Sequence, residues 1–295
     1  MDRTFIFFFI AFLTFQIGKT FADPIRVLFL GHESTHHNSN QYYPILSKSL
    51  GRDAIYFDYV TSVNQALDDP EYLNQFDGLL LYANHPKLSS GQWENLLSFV
   101  RSGKGFIPVH CASWCFANIP EYDQLVGGRF KSHQGAVFSP RVVKINHPAV
   151  QGIGNLEAWD ETYFHERHNS KNRTVLMVRD PLPGDPHADP EPWTWVREEG
   201  KGRVFYTASG HDERVWNKPE FHQLLKNGIL WAVGEKVHER YKNFLANREP
   251  LKYEKRDNIA NYEKRPEPLP YQLPLSPQES MKHTQVPVGF KLELF

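Results

Sequence analysis

The chain has 295 residues, with 33 basic and 34 acidic side chains and a formal charge of −1 at neutral pH. This balance gives no electrostatic basis for binding nucleic acid or an anionic membrane surface. The length allows one large domain with appendages. Because only two cysteines are present, a hydrophobic core and not a disulfide framework must stabilise the fold.

Residues 1–22 have the pattern of a secretory signal peptide. Arg3 supplies a positive charge, and an apolar stretch runs from Phe5 to Phe15 before small residues and Asp23. The apolar stretch is short for a membrane span. We therefore expect cleavage before residue 23, a periplasmic or secreted protein, and no transmembrane span in the mature chain. An uncleaved N-terminal anchor is the alternative.

Residues 23–245 predict one α/β domain. Short apolar strands are expected at residues 25–31, 54–60, 77–82 and 105–110. Helices are expected between them, at 42–50, within 64–76, and from a cap at Ser89 or Ser90 to Gly103. This alternation with short links is typical of right-handed βαβ units in a parallel sheet.

The pattern becomes weaker after residue 117. We expect a short helix at 122–126, strands at 137–145 and 174–179, a loop at 180–192, and a hairpin with strands at 193–197 and 203–208. An amphipathic helix at 219–233 follows. Residues 246–275, rich in proline and charge, predict a linker, and residues 276–295 predict the truncated start of a further domain.

Polar side chains follow four predicted strands. The clusters are Gly31-His32-Glu33 with His36, Asn84-His85, His110-Cys111-Ala112-Ser113, and Gly210-His211-Asp212. The carboxyl ends of parallel strands share one edge of the sheet, where ligands bind. We therefore expect one pocket there, joined by Glu161 from a polar and aromatic segment. Its predicted substrate-binding residues are His32, Glu33, His36, His85, Ser113, Tyr163, His165 and Asp212.

Converging histidines have two chemical uses. They can hold a divalent metal such as zinc, for which we predict His110, His165 and His211 as ligands. They can also bind the hydroxyls of a polar ligand and transfer protons, with His110 or His211 as acid or base and Glu161 as partner. No His-Glu-x-x-His or paired-cysteine motif decides between the two.

Cys111 is a further candidate, because a strand followed by a cysteine and a helix has the form of a nucleophile elbow. The helix dipole and His110 would lower the pKa of such a thiol. The bulky Trp114 and the absence of glycine at the turn are unfavourable for an oxyanion hole. A small buried apolar residue is the alternative interpretation of Cys111.

The order and spacing of four segments resemble the ThuA-like (trehalose utilisation) family, a branch of the class I glutamine amidotransferase-like superfamily. They are Val27 to His32, Gly105 to Ala112, Asp160-Glu161-x-Tyr163, and Gly210-His211-Asp212 with the helix after it. The resemblance implies a flavodoxin-like three-layer α/β fold with a mostly parallel sheet. It also implies a role in the metabolism of sugars, notably disaccharides oxidised to keto forms.

In glutamine amidotransferases a His-Glu pair supports the elbow cysteine. Cys111 matches the elbow position, but no His-x-Glu pair occurs late in this chain, and His211-Asp212 is the nearest substitute. Glutaminase activity is therefore not expected. The tail from Leu275 to Phe295 resembles the entry to a β-propeller of the membrane-bound, sugar-dehydrogenase-like type, often followed by a haem-binding domain. An ordinary disordered C-terminus is the alternative.

Three hypotheses for function follow. The first is an exported domain that binds or transforms a disaccharide or keto-sugar by acid–base or metal-assisted chemistry. The second is a non-catalytic carbohydrate-recognition or docking module that serves a fused or partner dehydrogenase. The third is a hydrolase that uses Cys111.

Overall fold

The computed structural model describes residues 23–256, 258, 260–262, 264 and 269–295. The predicted signal peptide, residues 1–22, and parts of the predicted linker lie outside this range. Among the described residues, no helix combines the length and the apolar character that crossing a membrane requires.

The first half of the domain alternates strands and helices as predicted. Its elements are β1 (Ile25–Leu30), α1 (Ser39–Gly51), β2 (Ile55–Val60), α2 (Val63–Leu67), α3 (Pro70–Asn74), β3 (Gly78–Leu81), α4 (Ser90–Arg101) and β4 (Gly105–Pro108). Ser89 caps α4 and forms a capping box with Gln92, so the backbone N–H groups of both residues are satisfied.

The middle of the chain differs more from the prediction. A 3₁₀ turn, His110–Trp114, replaces the expected start of an α-helix. It is followed by α5 (Pro120–Val126), β5 (Arg129–Ser132), β6 (Gly135–Phe138), β7 (Arg141–Val142), β8 (Ala158–Glu161), β9 (Phe164–Glu166) and β10 (Arg173–Arg179). The predicted strand at 137–145 is split because Pro140 lacks the N–H that a continuous ladder needs.

The last part contains the predicted hairpin and helix. Its elements are β11 (Glu191–Glu199), β12 (Gly202–Thr207), α6 (Glu213–Trp216), α7 (Pro219–Ala232), α8 (Glu235–Ala246), β13 (Tyr253–Glu254), β14 (Tyr271–Gln272) and α9 (Pro277–Lys282). The antiparallel hairpin of β11 and β12 is confirmed. The sequence did not indicate α8, because this polar helix buries only Tyr241.

Eight strands form the central sheet, in the order β2-β1-β3-β4-β12-β11-β10-β7. The pairings from β2 to β12 are parallel, and the remaining three are antiparallel. Helices pack around this sheet, so the predicted flavodoxin-like α/β fold is confirmed. The carboxyl ends of β1, β3, β4 and β12 share one edge, where the pairs β5–β9 and β6–β8 add further loops.

The residues after α9 lie along β2, the outermost strand of the parallel part. The Gln285 amide donates to the Phe57 carbonyl at 2.8 Å, and the Val288 N–H donates to the Asp58 carboxylate at 2.7 Å. Residues 283–295 contain no strand. The proposed entry to a β-propeller therefore remains a resemblance of sequence.

Helix α7 packs on the sheet so closely at Gly228 that no side chain fits there. A Cβ atom there would lie 2.5 Å from the ring of Phe205, which is fully buried on β12. We predict that Gly228→Ala destabilises the domain, because overpacking costs about 1–3 kcal/mol and exceeds the helix-propensity gain of about 1 kcal/mol. Urea unfolding measures the change. Gly91→Ala, in α4, is the control: it meets no atom within 4 Å and should not destabilise. Stabilisation by both substitutions would contradict this packing.

Candidate metal centre

Four imidazoles surround one carboxylate at the carboxyl edge of the sheet. Glu161 Oε2 lies 3.2 Å from His110 Nε2 and 3.5 Å from His37 Nε2. Glu161 Oε1 lies 3.2 Å from His211 Nδ1 and 3.4 Å from His133 Nε2. Glu161, His37 and His110 are buried, whereas the His133 side chain is 42% exposed.

Each of these side chains comes from a different segment. His37 lies in the loop after β1, His110 follows β4, Glu161 ends β8, and His211 follows β12. The parallel strands bring their carboxyl ends together. The end of β8 adds Glu161 and the turn between β5 and β6 adds His133, both from outside the sheet. The convergence therefore depends on the tertiary fold and not on a local spacing of residues.

Two of the histidines have a backbone conformation that is rare for residues other than glycine. The φ angle is +53° at His37 and +49° at His110. Such left-handed residues cost on the order of 1–3 kcal/mol each and occur preferentially at functional sites. At His110 the sharp turn after β4 carries the imidazole into the cluster. This corrects the assignment of the elbow to Cys111, since the residue with left-handed φ is His110.

Hydrogen bonds fix the tautomers of His37 and His110. His110 Nδ1 donates to the Ala208 carbonyl at 2.6 Å, and His37 Nδ1 donates to Asn84 Oδ1 at 2.8 Å. In the neutral rings each Nε2 therefore carries a lone pair. These two atoms lie 3.2 Å apart and beside a carboxylate oxygen. Three electron-rich atoms at such distances repel one another unless a cation lies between them.

The spacing of the donor atoms fits a metal ion. Zinc–nitrogen bonds of about 2.0–2.1 Å place tetrahedral ligands roughly 3.3 Å apart. One donor atom from each of His37, His110, Glu161 and His211 lies within 4.8 Å of the others. His211 Nδ1 is buried and has no hydrogen-bond partner, although Glu161 is near. This atom is thus free to bind a cation.

The protonation states also suit a metal. Burial opposes ionisation of Glu161, but the adjacent imidazoles of His110, His211 and His37 hold its pKa well below the usual range. Burial lowers the pKa of His110 to about 3 despite the adjacent carboxylate. Burial lowers the pKa of His211 as well, but the adjacent Glu161 carboxylate outweighs this effect and raises the pKa overall. At neutral pH the cluster therefore offers a carboxylate and at least one neutral imidazole, as metal ligands must be.

Asp160 holds two members of the cluster in place. Its buried carboxylate accepts the backbone N–H of Glu161 at 2.9 Å, of Gly210 at 3.0 Å and of His211 at 3.1 Å. Burial raises the pKa of Asp160 to about 7, while these three donors favour its charged form. Asp160 thereby ties the end of β8 to the loop after β12.

The structure changes the predicted ligand set. His110, His211 and Glu161 meet as expected, but His165 lies elsewhere. Both of its ring nitrogens are engaged, Nδ1 with Glu191 at 2.9 Å and Nε2 with the Tyr206 hydroxyl at 3.0 Å. The donor atoms close enough to share one ion are therefore those of His37, His110, Glu161 and His211, and the predicted His165 is not among them. Sequence reasoning selected neither His37 nor His133.

His32 and His85, which were predicted to bind substrate, instead form hydrogen bonds that hold neighbouring loops in place. His32 Nε2 donates to the His37 carbonyl at 2.8 Å, while its Nδ1 accepts the Asn84 N–H at 3.2 Å. His85 Nε2 donates to the Gly31 carbonyl at 2.8 Å. No ring nitrogen of His32 is left for a substrate. These bonds hold the loop that carries His37.

The other predicted residues are divided between the cavity and the structural framework. His36 and Tyr163 line the cavity. Ser113 is buried and donates to the His110 carbonyl, and Asp212 caps α6 and pairs with Arg214. Glu33 is exposed, 3.5 Å from the Asn40 amide.

Cys111 is not placed for nucleophilic attack. Its side chain is fully buried in the hydrophobic core, and burial raises the pKa of the thiol well above its usual range. A reactive cysteine needs the opposite, an accessible thiol with a lowered pKa. The structure therefore contradicts the elbow-nucleophile prediction and supports a core role for Cys111.

A cavity of about 190 Å³ opens beside the cluster. Its lining residues are His36, His37, Asn84, Trp114, Phe130, His133, Glu161 and Tyr163. A larger cavity of about 560 Å³ near Arg203 and Trp231 lies at the other end of β12. We assign the site to the smaller cavity, because only there do donor atoms converge within ligand distance of one another.

Comparison with known proteins extends these observations. Residues 26–232 match the family model ThuA, described as trehalose utilisation. A ThuA-like protein from Parabacteroides merdae has 18% identity and a TM-score of 0.59, covering 72% of this chain and 90% of its own. One from Bacteroides uniformis has 17% identity and a TM-score of 0.61, covering 71% and 91%. At these identities the likeness shows the fold alone. No curated protein matches the chain.

The buried His110 predicts an acid sensitivity of the metal-free protein. Its pKa is about 3 in the fold and 6.5 when unperturbed. Between these values the unfolded chain binds a proton that the native state excludes, so the free energy of unfolding falls as pH falls. His110→Gln should reduce this slope by up to about 1.4 kcal/mol per pH unit. Denaturation at pH 7, 6 and 5 measures it; equal slopes in both proteins would contradict the buried neutral imidazole.

Proposed function

The chain belongs to the ThuA (trehalose utilisation) family, and on that premise we propose that it is a metal-dependent enzyme of carbohydrate metabolism. The observation that carries the proposal is the set of donor atoms from His37, His110, Glu161 and His211, which lie within 4.8 Å of one another. A carbohydrate-related role is what the family supports. The metal, the chemistry and the sugar are the proposal.

Three imidazoles and one carboxylate suit zinc or another first-row divalent ion. Hydrogen bonds behind the ligands support this choice, since the Ala208 carbonyl orients His110 and the Asn84 amide orients His37. Such partners fix the ring orientation and the tautomer of ligating histidines.

A metal ion at this position would polarise a carbonyl or hydroxyl oxygen of a sugar in the cavity. His110 and His211 are then occupied as ligands, which moves the proton-transfer role predicted for them to another residue. His133 is suited to it, because its imidazole reaches the cavity and lies 3.4 Å from Glu161 Oε1. The favoured reactions are proton transfer beside a sugar carbonyl and hydrolysis of a keto-glycoside.

Export completes the proposal, on the evidence of the residue pattern at 1–22. Expression of the full chain with its N-terminus intact should give a processed protein outside the cytoplasm that begins near Asp23. N-terminal sequencing of the product checks this. A product that retains Met1 and stays in the cytoplasm would contradict export without affecting the metal site.

Metal binding distinguishes the ligand set found here from the one expected from sequence. We predict that the metal-free protein binds one equivalent of zinc, and that His37→Gln and His211→Gln each weaken binding at least 100-fold. His165→Gln should retain the wild-type affinity, because this histidine lies outside the cluster. Competition with a chromophoric chelator measures affinity, and circular dichroism verifies folding. Loss of zinc in His165→Gln but not in His37→Gln would contradict the assignment.

Catalysis is tested with the zinc-loaded chain and disaccharides oxidised to keto forms. We expect turnover, followed by NMR, that chelation abolishes and added zinc restores. His133→Gln should lower turnover about 10²–10⁴-fold, the usual contribution of a general acid or base. Its zinc content should stay unchanged. Turnover that survives chelation would argue against the metal-dependent mechanism.

A further inference from the structure

Trp114 is an exposed aromatic residue at the mouth of the cavity. Its side chain is 37% exposed, whereas Trp193, Trp195 and Trp216 are fully buried. Leaving an indole in water forgoes the free energy that burial of apolar surface provides. An exposed aromatic residue beside a polar cluster is the arrangement expected of a ligand site.

The backbone of Trp114 is firmly held although its ring is exposed. Arg129 Nη2 donates to the Trp114 carbonyl at 3.2 Å, and Arg129 Nη1 pairs with the buried carboxylate of Asp123 at 3.0 Å. The next N–H, of Cys115, donates to the Ala112 carbonyl at 3.2 Å. The indole is thus attached to a fixed turn, which reduces the entropy lost when a ligand orders it.

The other tryptophan near the cluster is already covered. Trp159 lies 5.6 Å from the ring of His211, and the Arg214 guanidinium stacks on its face at 3.7 Å. Asp212 holds that guanidinium in place. Trp114 therefore offers the open indole at this end of the described part of the chain.

The cavity lining combines aromatic and polar groups. Tyr163 stacks on His110 at 4.2 Å and contacts Phe130 at 4.5 Å, and Trp114 lines the same cavity. His36, His37 and Asn84 add imidazole and amide groups. A sugar ring has an apolar C–H face and a hydroxyl rim, and these two kinds of lining group can bind both.

The size of the cavity limits what fits inside. Its volume of about 190 Å³ is about a third of that of the cavity near Trp231. Trp114 lines this small cavity with a partly exposed indole. A second ring that extends from the cavity towards solvent would meet this indole.

We propose that Trp114 forms an outer subsite, on which the second ring of a two-ring glycoside stacks while the first ring occupies the cavity beside Glu161. This inference rests on the proposed function, because it takes the occupant of the cavity to be a sugar. It makes Trp114 a specificity-determining residue that contacts the substrate but not the reacting atoms.

Isothermal titration of the zinc-loaded full chain tests the subsite. The one-ring probes are glucose and methyl glucoside, and the two-ring probes are trehalose, maltose and cellobiose. We expect tighter binding of at least one two-ring probe, and about tenfold weaker binding of that probe by Trp114→Ala, equivalent to about 1.4 kcal/mol. Affinity for the one-ring probes should not change. Trp114→Phe should retain most of the affinity, since it keeps an aromatic face.

Trp231→Phe is the matched control, because this half-buried tryptophan lines the distant cavity; it should change neither class of affinity. Zinc content and thermal unfolding, measured for every variant, verify an intact site. If Trp114→Ala weakened the binding of one-ring and two-ring probes equally, or of neither, the subsite proposal would be wrong. The proposed function would still stand. Failure of every sugar to bind the wild type would contradict the proposed function, and the subsite with it.

Discussion

The site is built around three electron-rich atoms, a carboxylate oxygen and two imidazole nitrogens, that the fold holds close together. Glu161, His37 and His110 are buried with their donor atoms within 3.5 Å of one another, and both imidazoles are fixed from behind by oxygen acceptors. Burial removes the water that would otherwise screen them. The left-handed backbone at both histidines shows that the fold maintains this arrangement at a conformational cost.

Much of the fold and part of the site follow from the sequence. Apolar runs closed by polar clusters located β1, β3, β4 and β12, and so also His110 and His211 at their ends. The strands β5, β8 and β9 were not predicted, and β6 was predicted only as part of a longer strand, because such short pairs obtain their stability from tertiary contacts and leave no periodic pattern. Glu161 was identified by its polar and aromatic context, although its strand was not.

The errors within the site have a common cause. Three histidines, His32, His36 and His37, follow β1 closely, and the left-handed turn falls at His37, the one whose imidazole approaches Glu161. In the same way the turn after β4 occurs at His110, one residue before Cys111, and this buries the thiol. Backbone conformation at a single residue is not encoded in hydrophobic periodicity, so neither outcome was accessible from the sequence.

The segment after α9 has a consequence for how copies of the protein meet. An outermost strand such as β2 presents unpaired N–H and C=O groups, which form a template for adding a strand from another molecule. Gln285 already bonds the carbonyl of Phe57, and Val288 bonds Asp58. At the opposite edge, β7 pairs through only two residues. One edge strand is therefore partly covered and the other is very short. Both features oppose aggregation through edge-to-edge β-pairing.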